Sequence, residues 1–75
     1  MSKYQIKQLV AARVAGLIAM RHFDGRSPLC VTLDEIMNGE YDFTRQQAEQ
    51  ALHELEADGI VKIRPAINVM TVYRV

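Results

Sequence analysis

The chain has 75 residues, a mass of 8.5 kDa, 49% hydrophobic residues and 24% charged residues. This size and composition predict one small, folded, soluble domain over residues 1–75, and they exclude a disordered or collagen-like chain. Nine Lys and Arg residues balance nine Asp and Glu residues, so a general attraction to nucleic acid or to an anionic membrane is excluded. A core this small favours a helix-rich fold that a partner subunit helps to stabilise.

The single cysteine and the hydropathy of the chain predict where the protein resides. Cys30 excludes an internal disulfide, which favours a reducing cytoplasm, and it is expected to be a small buried residue. The most apolar stretch, residues 6–20, is too short and too charged to span a bilayer. No cleavage pattern of a signal peptide follows it. We therefore expect an unprocessed cytoplasmic protein without a membrane partner.

The N-terminal third predicts one long helix. Apolar residues recur at helical spacing from Lys3 to about Phe23, and Gly25 is suited to the turn that follows the helix. Residues 24–28 have the composition of a loop, and residues 29–31 favour a short strand. The residues expected to face the core are Ile6, Leu9, Val10, Val14, Leu17 and Ile18.

Two capping boxes predict two further helices. The first box, Thr32 to Glu35, begins a short helix from Leu33 to about Asn38, with Gly39 ending it. The second box, Thr44 to Gln47, begins a helix that runs to about Asp58, where Gly59 stops it. Only about five residues separate the two helices, so they are expected to cross sharply, as in a helix-turn-helix.

The helix that follows the second capping box and the C-terminal hairpin complete the predicted core. Phe43 is placed for a hydrophobic staple against Ala48. Residues 61–64 alternate apolar and charged side chains, which predicts a half-buried strand. Residues 65–68 are suited to a turn, and residues 69–75 should pair back antiparallel, with either parity facing the core. The helix before the hairpin has a buried stripe of Ala48, Ala51, Leu52 and Leu55.

Residues 44–61, TRQQAEQALHELEADGIV, resemble the recognition helix of winged-helix transcription regulators. The resemblance is greatest to the GntR group, in the pattern Ala51-Leu52, Leu55-Glu56 and Gly59-Ile60-Val61. It extends over roughly residues 29–75 and implies an α+β fold, a winged helix-turn-helix with three helices and a C-terminal β-hairpin wing. In size the chain is similar to the small phage, plasmid and fimbrial-operon regulators.

The same resemblance implies a DNA-binding surface on the helix and the wing. Arg45 matches the arginine that such regulators use against DNA, and Arg and Gln side chains can bond guanine and adenine bidentately in the major groove. An ion pair of Arg45 with Asp42 or Glu49 is the alternative for this residue. Basic side chains of the wing would reach phosphates. The predicted DNA-binding residues are Thr44, Arg45, Gln46, Glu49, Gln50, Lys62 and Arg64.

The charge of the chain is segregated, and this leaves a second function open. Residues 1–31 carry five basic residues against one acidic residue, whereas residues 32–59 carry one against eight, a net charge of −7. Residues 60–75 carry three basic residues and no acidic ones. Arg45 and the basic hairpin favour double-stranded DNA as the partner. The acidic segment favours a protein-protein adaptor or inhibitor of the phage or plasmid type, in which residues 32–59 face a basic protein partner.

The length of the first helix predicts a homodimer. At 1.5 Å per residue the helix is about 30 Å long, which is about the whole diameter of a domain of this size. Its outer faces carry small residues that allow a second helix to approach closely, most simply the same helix of a second subunit. The expected dimer interface consists of Ala12, Ala15, Gly16 and Ala19.

No motif in the sequence indicates catalysis. The spacing of His22, Cys30 and His53 matches no zinc-finger or ribbon pattern. Asp34 and Glu35 fit charges at a helix start better than a catalytic acid pair. A Gly-rich phosphate loop is also missing from the sequence. We therefore expect a protein without enzymatic activity, metal or cofactor.

Overall fold

The computed structural model describes residues 2–25, 30–39, 41–65 and 70–74, and within them it shows a small α+β fold. Its helices and strands, in chain order, are α1 (Lys3–Phe23), β1 (Cys30–Thr32), α2 (Leu33–Ile36), α3 (Arg45–Ala57), β2 (Val61–Pro65) and β3 (Met70–Arg74). The three strands form one antiparallel sheet in the order β1-β3-β2. The sequence predicted this order of elements, and the structure confirms it. Most of the predicted loop 24–28 and of the turn 65–68 lies outside the described residues.

Both predicted capping boxes are present, and they explain why α2 and α3 begin where they do. At α2 the Thr32 hydroxyl accepts a hydrogen bond from the Glu35 N–H, and the Glu35 carboxylate accepts one from the Thr32 N–H, each at 3.2 Å. At α3 the Thr44 hydroxyl accepts from the Gln47 N–H at 3.2 Å, and the Gln47 side-chain oxygen accepts from the Thr44 N–H at 2.8 Å. Each box satisfies two N–H groups that a helix start leaves free.

The C-terminal ends of the two helices differ from each other. Helix α3 ends as predicted, with Gly59 in the left-handed region at a φ of 77°. Helix α2 was predicted to reach about Asn38 but ends at Ile36. The backbone tightens there, because the Asn38 N–H bonds to the Glu35 carbonyl at 3.2 Å and the Gly39 N–H bonds to the Met37 carbonyl at 2.9 Å.

The guanidinium of Arg13, which projects from α1, lies against this end of α2. Its Nη2 atom donates to the backbone carbonyl of Asn38 at 3.3 Å and, more weakly, to that of Glu35 at 3.5 Å. The Nε atom of Arg13 is buried and has no hydrogen-bond partner among the described residues. Arg13 therefore supplies a donor to the Asn38 carbonyl and a second, weaker donor to the Glu35 carbonyl, which also accepts from the Asn38 N–H.

The hydrophobic core lies between α1, α3 and the inner face of the sheet. Two residues depart from the predicted core: Leu9 is 40% exposed, and Leu17 is half-buried at the core margin. The reason is that α1 buries one stripe of residues four apart, and Leu9 lies beyond its edge. The buried residues are Ile6, Val10, Val14, Ile18, Val31, Leu33, Ile36, Phe43, Ala48, Ala51, Leu52, Leu55, Val61, Ile63 and Val72.

The register of the sheet settles which parity of β3 faces the core. Val72 pairs with Val31 on one side and with Ile63 on the other, and all three are buried. Neighbouring residues along a strand point to opposite faces, so Tyr73 and its partner Cys30 lie on the outer face. Cys30 was predicted to be buried but is half-buried, because this face is not covered by a helix.

Strand β2 is at one edge of the sheet, and its outer hydrogen-bonding positions are partly closed. The N–H of Ile63 donates to the Glu56 carboxylate of α3 at 2.8 Å. Two residues further on, Pro65 has no N–H to offer. Helix α3 is thereby joined to the strand that follows it.

Candidate nucleic-acid interface

The first turn of α3 holds the side chains that the sequence assigned to DNA. The capping box occupies the side chains of Thr44 and Gln47, so these two are engaged within the helix start. Arg45 is exposed and forms an ion pair with Asp34 of α2, with Nη1 and Oδ1 at 2.5 Å. The sequence suggested Asp42 or Glu49 as the ionic partner of Arg45, and both predictions were wrong. Asp34 is 11 residues away along the chain and is brought close by the crossing of α2 and α3.

An exposed ridge of α3 carries no Asp, Glu, Lys or Arg. Gln46, Gln50 and His53 follow the helical spacing i, i+4 and i+7, and all three are exposed. Their amide and imidazole groups offer both hydrogen-bond donors and acceptors. His53 was interpreted from the sequence only as a surface residue. Its spacing from Gln46 and Gln50 is the signal that places it on the same ridge.

Acidic side chains flank this ridge. Glu49 and Glu54 are half-buried on its two sides, and neither forms an ion pair within the described part of the chain. A small cleft beside the ridge is lined by Gln50 and Glu54 of α3 and by Lys3 of α1. The surface therefore combines neutral hydrogen-bonding groups in the centre with negative charge at the margins.

Helix α1 neutralises part of the acidic segment. Lys7 forms an ion pair with Asp58, and Arg21 forms one with Glu35. The hydrogen bond that Lys7 donates to the Asp58 carboxylate, assisted by the negative charge of Asp58, raises the pKa of Lys7 above its ordinary value of 10.5. The opposite charges of residues 1–31 and 32–59 thus meet across the contact of α1 with α2 and α3.

The basic residues of the hairpin lie on a different surface from the α3 ridge. Lys62 and Arg64 alternate with the buried Val61 and Ile63, so they project from the outer face of the sheet. The Arg64 guanidinium lies over the Tyr73 ring, 5.4 Å from its centroid. Residues 66–69, at the tip of the predicted wing, are outside the described residues. The structure therefore does not bring Lys62 and Arg64 together with Arg45 and Gln50.

The residues predicted for the dimer interface lie together on the outside of α1. Ala12, Ala15, Gly16 and Ala19 are all exposed. The larger apolar side chains on the same side of the helix are Leu9, Met20 and Phe23, of which Phe23 is 91% exposed. A β-carbon added at Gly16 would meet no atom of another described element within 4 Å, so the middle of this side of α1 is open.

In the described residues, no three His, Cys, Asp or Glu side chains come together in a way that would hold a metal ion. Nor does any helix of the described ranges combine the length and the hydropathy that a membrane crossing requires. The chain matches no protein-family model, no curated protein and no solved structure.

Proposed function

We propose that the protein is a winged-helix DNA-binding regulator of transcription, which acts in the cytoplasm as a homodimer and reads the major groove with α3. The observation that carries this proposal is the ridge of Gln46, Gln50 and His53 beside Arg45. Amide groups and a guanidinium are the side-chain groups that distinguish base edges in the major groove. The order of the elements and the β1-β3-β2 sheet support a winged helix in which β2 and β3 form the wing.

The ion pair between Arg45 and Asp34 adds a condition for binding. To bond a guanine, Arg45 must exchange the Asp34 carboxylate for the O6 and N7 atoms of the base. The pair is exposed and therefore weak, so a well-placed base can replace it. A phosphate is a less favourable partner for Arg45 than a guanine edge, because the nearby Glu49 carboxylate repels the negative charge of the phosphate. Asp34 thus lowers binding to random DNA more than binding to the correct site.

Fluorescence anisotropy over a salt series tests the proposal, first with a random duplex and then with DNA from upstream of the protein's own gene. Arg45→Ala should cost about 1–3 kcal/mol on the preferred sequence and relax the preference at one position. Asp34→Asn should strengthen binding to the random duplex, because it frees Arg45 and removes a negative charge. Asp24→Asn, the same change of charge at the end of α1, is the control and should leave affinity unchanged.

The phosphate contacts are tested separately. If the wing lies along the backbone, Lys62→Ala and Arg64→Ala each weaken binding evenly across sequences and lower the salt slope by about one. Glu49→Lys should raise non-specific affinity, because attraction replaces repulsion. The absence of binding at low salt, with no gain from Asp34→Asn or Glu49→Lys, would contradict the DNA proposal.

One observation favours a second candidate function, docking of the acidic face on a basic protein. Arg45 is the only basic residue of residues 32–59, and its charge is already neutralised by Asp34. Glu49 and Glu54 then remain to attract a cationic partner. With an oligolysine peptide as the probe, Glu49→Lys should weaken binding, whereas the same substitution strengthens binding to DNA. The sign of the change therefore distinguishes the two functions.

A further inference from the structure

The outer face of α1 has large apolar side chains towards its ends and small ones in the middle. Leu9 lies towards the N-terminal end, while Met20 and Phe23 lie at the C-terminal end, with exposed fractions of 40%, 63% and 91%. Between them the face consists of the small residues Ala12, Ala15, Gly16 and Ala19. The small residues in the middle allow a second copy of the helix to approach closely there.

An open groove occupies the N-terminal half of this face. It is lined by Gln5, Gln8, Leu9 and Ala12 of α1 and by Asp42 from the segment before α3. The C-terminal half carries the protruding ring of Phe23. One end of the helix therefore has a recess, and the other end has a side chain of the kind that fills one.

We infer that two copies of the chain associate through α1 in an antiparallel arrangement, with the two-fold axis beside Gly16 and with Phe23 of each copy in the groove of the other. With the axis at residue 16, position 23 of one helix lies opposite position 9 of its partner, and position 20 lies opposite position 12. The Phe23 ring then covers Leu9, and Met20 covers Ala12. This inference rests on the homodimer of the proposed function and does not depend on what α3 binds.

The area of the face is consistent with a weak specific dimer. With the axis at residue 16, residues 9–23 of the two helices overlap over about 22 Å, and at a width of about 11 Å half of that surface is on the order of 400 Å². Two copies bury about 800 Å², which is the range of weak, transient interfaces. The face itself contains no charged side chain of α1, so its burial requires no desolvation of a charge. Asp42 lines the groove and is exposed in the single chain.

Sedimentation of the full chain without DNA tests the association. We expect a mass of about 17 kDa at high micromolar concentration, twice the 8.5 kDa of the chain, with dissociation on dilution. Phe23→Glu should raise the dimer dissociation constant at least about 100-fold, because the symmetric dimer loses two buried rings. The control is Tyr4→Glu, which changes another exposed aromatic of α1 about 100° around the helix from Phe23 and should leave the dissociation constant unchanged.

Gly16→Leu distinguishes an effect on the dimer contact from an effect on folding. The monomer has open space at this position, and leucine is the better helix former, so thermal stability should be kept or raised. The added side chain holds the two helices apart at the axis and should weaken dimerisation. A monomer at all concentrations, or a dimer that is insensitive to both Phe23→Glu and Gly16→Leu, would overturn the inference. DNA binding measured on the same preparations shows independently whether the proposed function fails.

Disulfide crosslinking in a Cys30→Ser background tests the orientation. On an antiparallel two-fold axis only the residue at the axis meets its own copy, so Gly16→Cys should crosslink to itself. Leu9→Cys and Phe23→Cys should not crosslink alone but should do so when the two variants are mixed. Self-crosslinking of Leu9→Cys would instead show parallel helices and overturn the arrangement.

Discussion

Helices α1 and α3 bury four residues each in the same core, yet their outer sides are opposite in character. The outer side of α1 is apolar and small, with Leu9 and Phe23 exposed to water. The outer side of α3 is polar, with a neutral ridge and acidic margins. The inner faces are explained by the requirements of one hydrophobic core. The outer faces contribute nothing to that core, so their difference is free to serve the two partners proposed above, a second copy for α1 and another macromolecule for α3.

The largest expected effect is on the free energy of unfolding, and it differs between a leucine on the inner side of a helix and one on the outer side. Leu55 of α3 is 2% exposed, so Leu55→Ala should lower the free energy of unfolding by about 2–5 kcal/mol through lost burial and a cavity. Leu9→Ala, the same change on the outer side of α1, should alter it by less than about 0.5 kcal/mol under dilute monomeric conditions. Urea denaturation followed by circular dichroism measures both. Equal losses would show that the two sides are not distinct.

A smaller effect is expected where α1 contacts α2. Arg13→Met keeps much of the apolar stem but removes the donors to the carbonyls of Glu35 and Asn38, which should cost about 1–3 kcal/mol. Hydrogen exchange should become faster in α2 before it does in α3. Lys3→Met, which removes an exposed charge from the same helix, is the control and should leave both quantities unchanged. Unchanged stability of Arg13→Met would mean that water satisfies these carbonyls equally well.

The smallest expected effect concerns pH. Because the hydrogen bond that Lys7 donates to Asp58 raises the pKa of Lys7 in the folded state, the pair stabilises the fold from neutral pH up to the ordinary lysine pKa. This stabilisation is lost as the pH rises through the raised pKa, above 10.5. An NMR titration of the Lys7 side chain should show the raised value in the wild type and the ordinary value in Asp58→Asn. An unchanged titration in Asp58→Asn would assign the shift to another cause.

Features that depend on neighbouring residues could be predicted from the sequence. The capping boxes at Thr32 and Thr44, the stop at Gly59 and the β2–β3 hairpin each need only a few consecutive residues, and the structure confirms them. The parity of β3 remained open because both of its faces carry apolar side chains. Only the pairing of Val72 with Val31 and Ile63 determines it.

Features that depend on distant residues could not be predicted in the same way. Leu9 is exposed because of the direction in which α1 packs on the core. A pattern of apolar residues does not determine whether a residue at the edge of the stripe, such as Leu9, is buried. The ion pair of Arg45 with Asp34 joins two helices, and sequence spacing suggested nearer partners. The sequence contained one signal that Arg13 contacts another element: it is the only charged residue between Gln8 and Met20, in an otherwise apolar stretch.

The hydrogen bond between the backbone of β2 and the Glu56 carboxylate affects how the protein associates at high concentration. An open sheet edge can recruit the strand of another molecule, and this is a common route to fibrils. Here the N–H of Ile63 is already occupied, and Pro65 has none, so an incoming strand finds two consecutive outward positions without a donor. Growth of the sheet beyond β2 is therefore disfavoured.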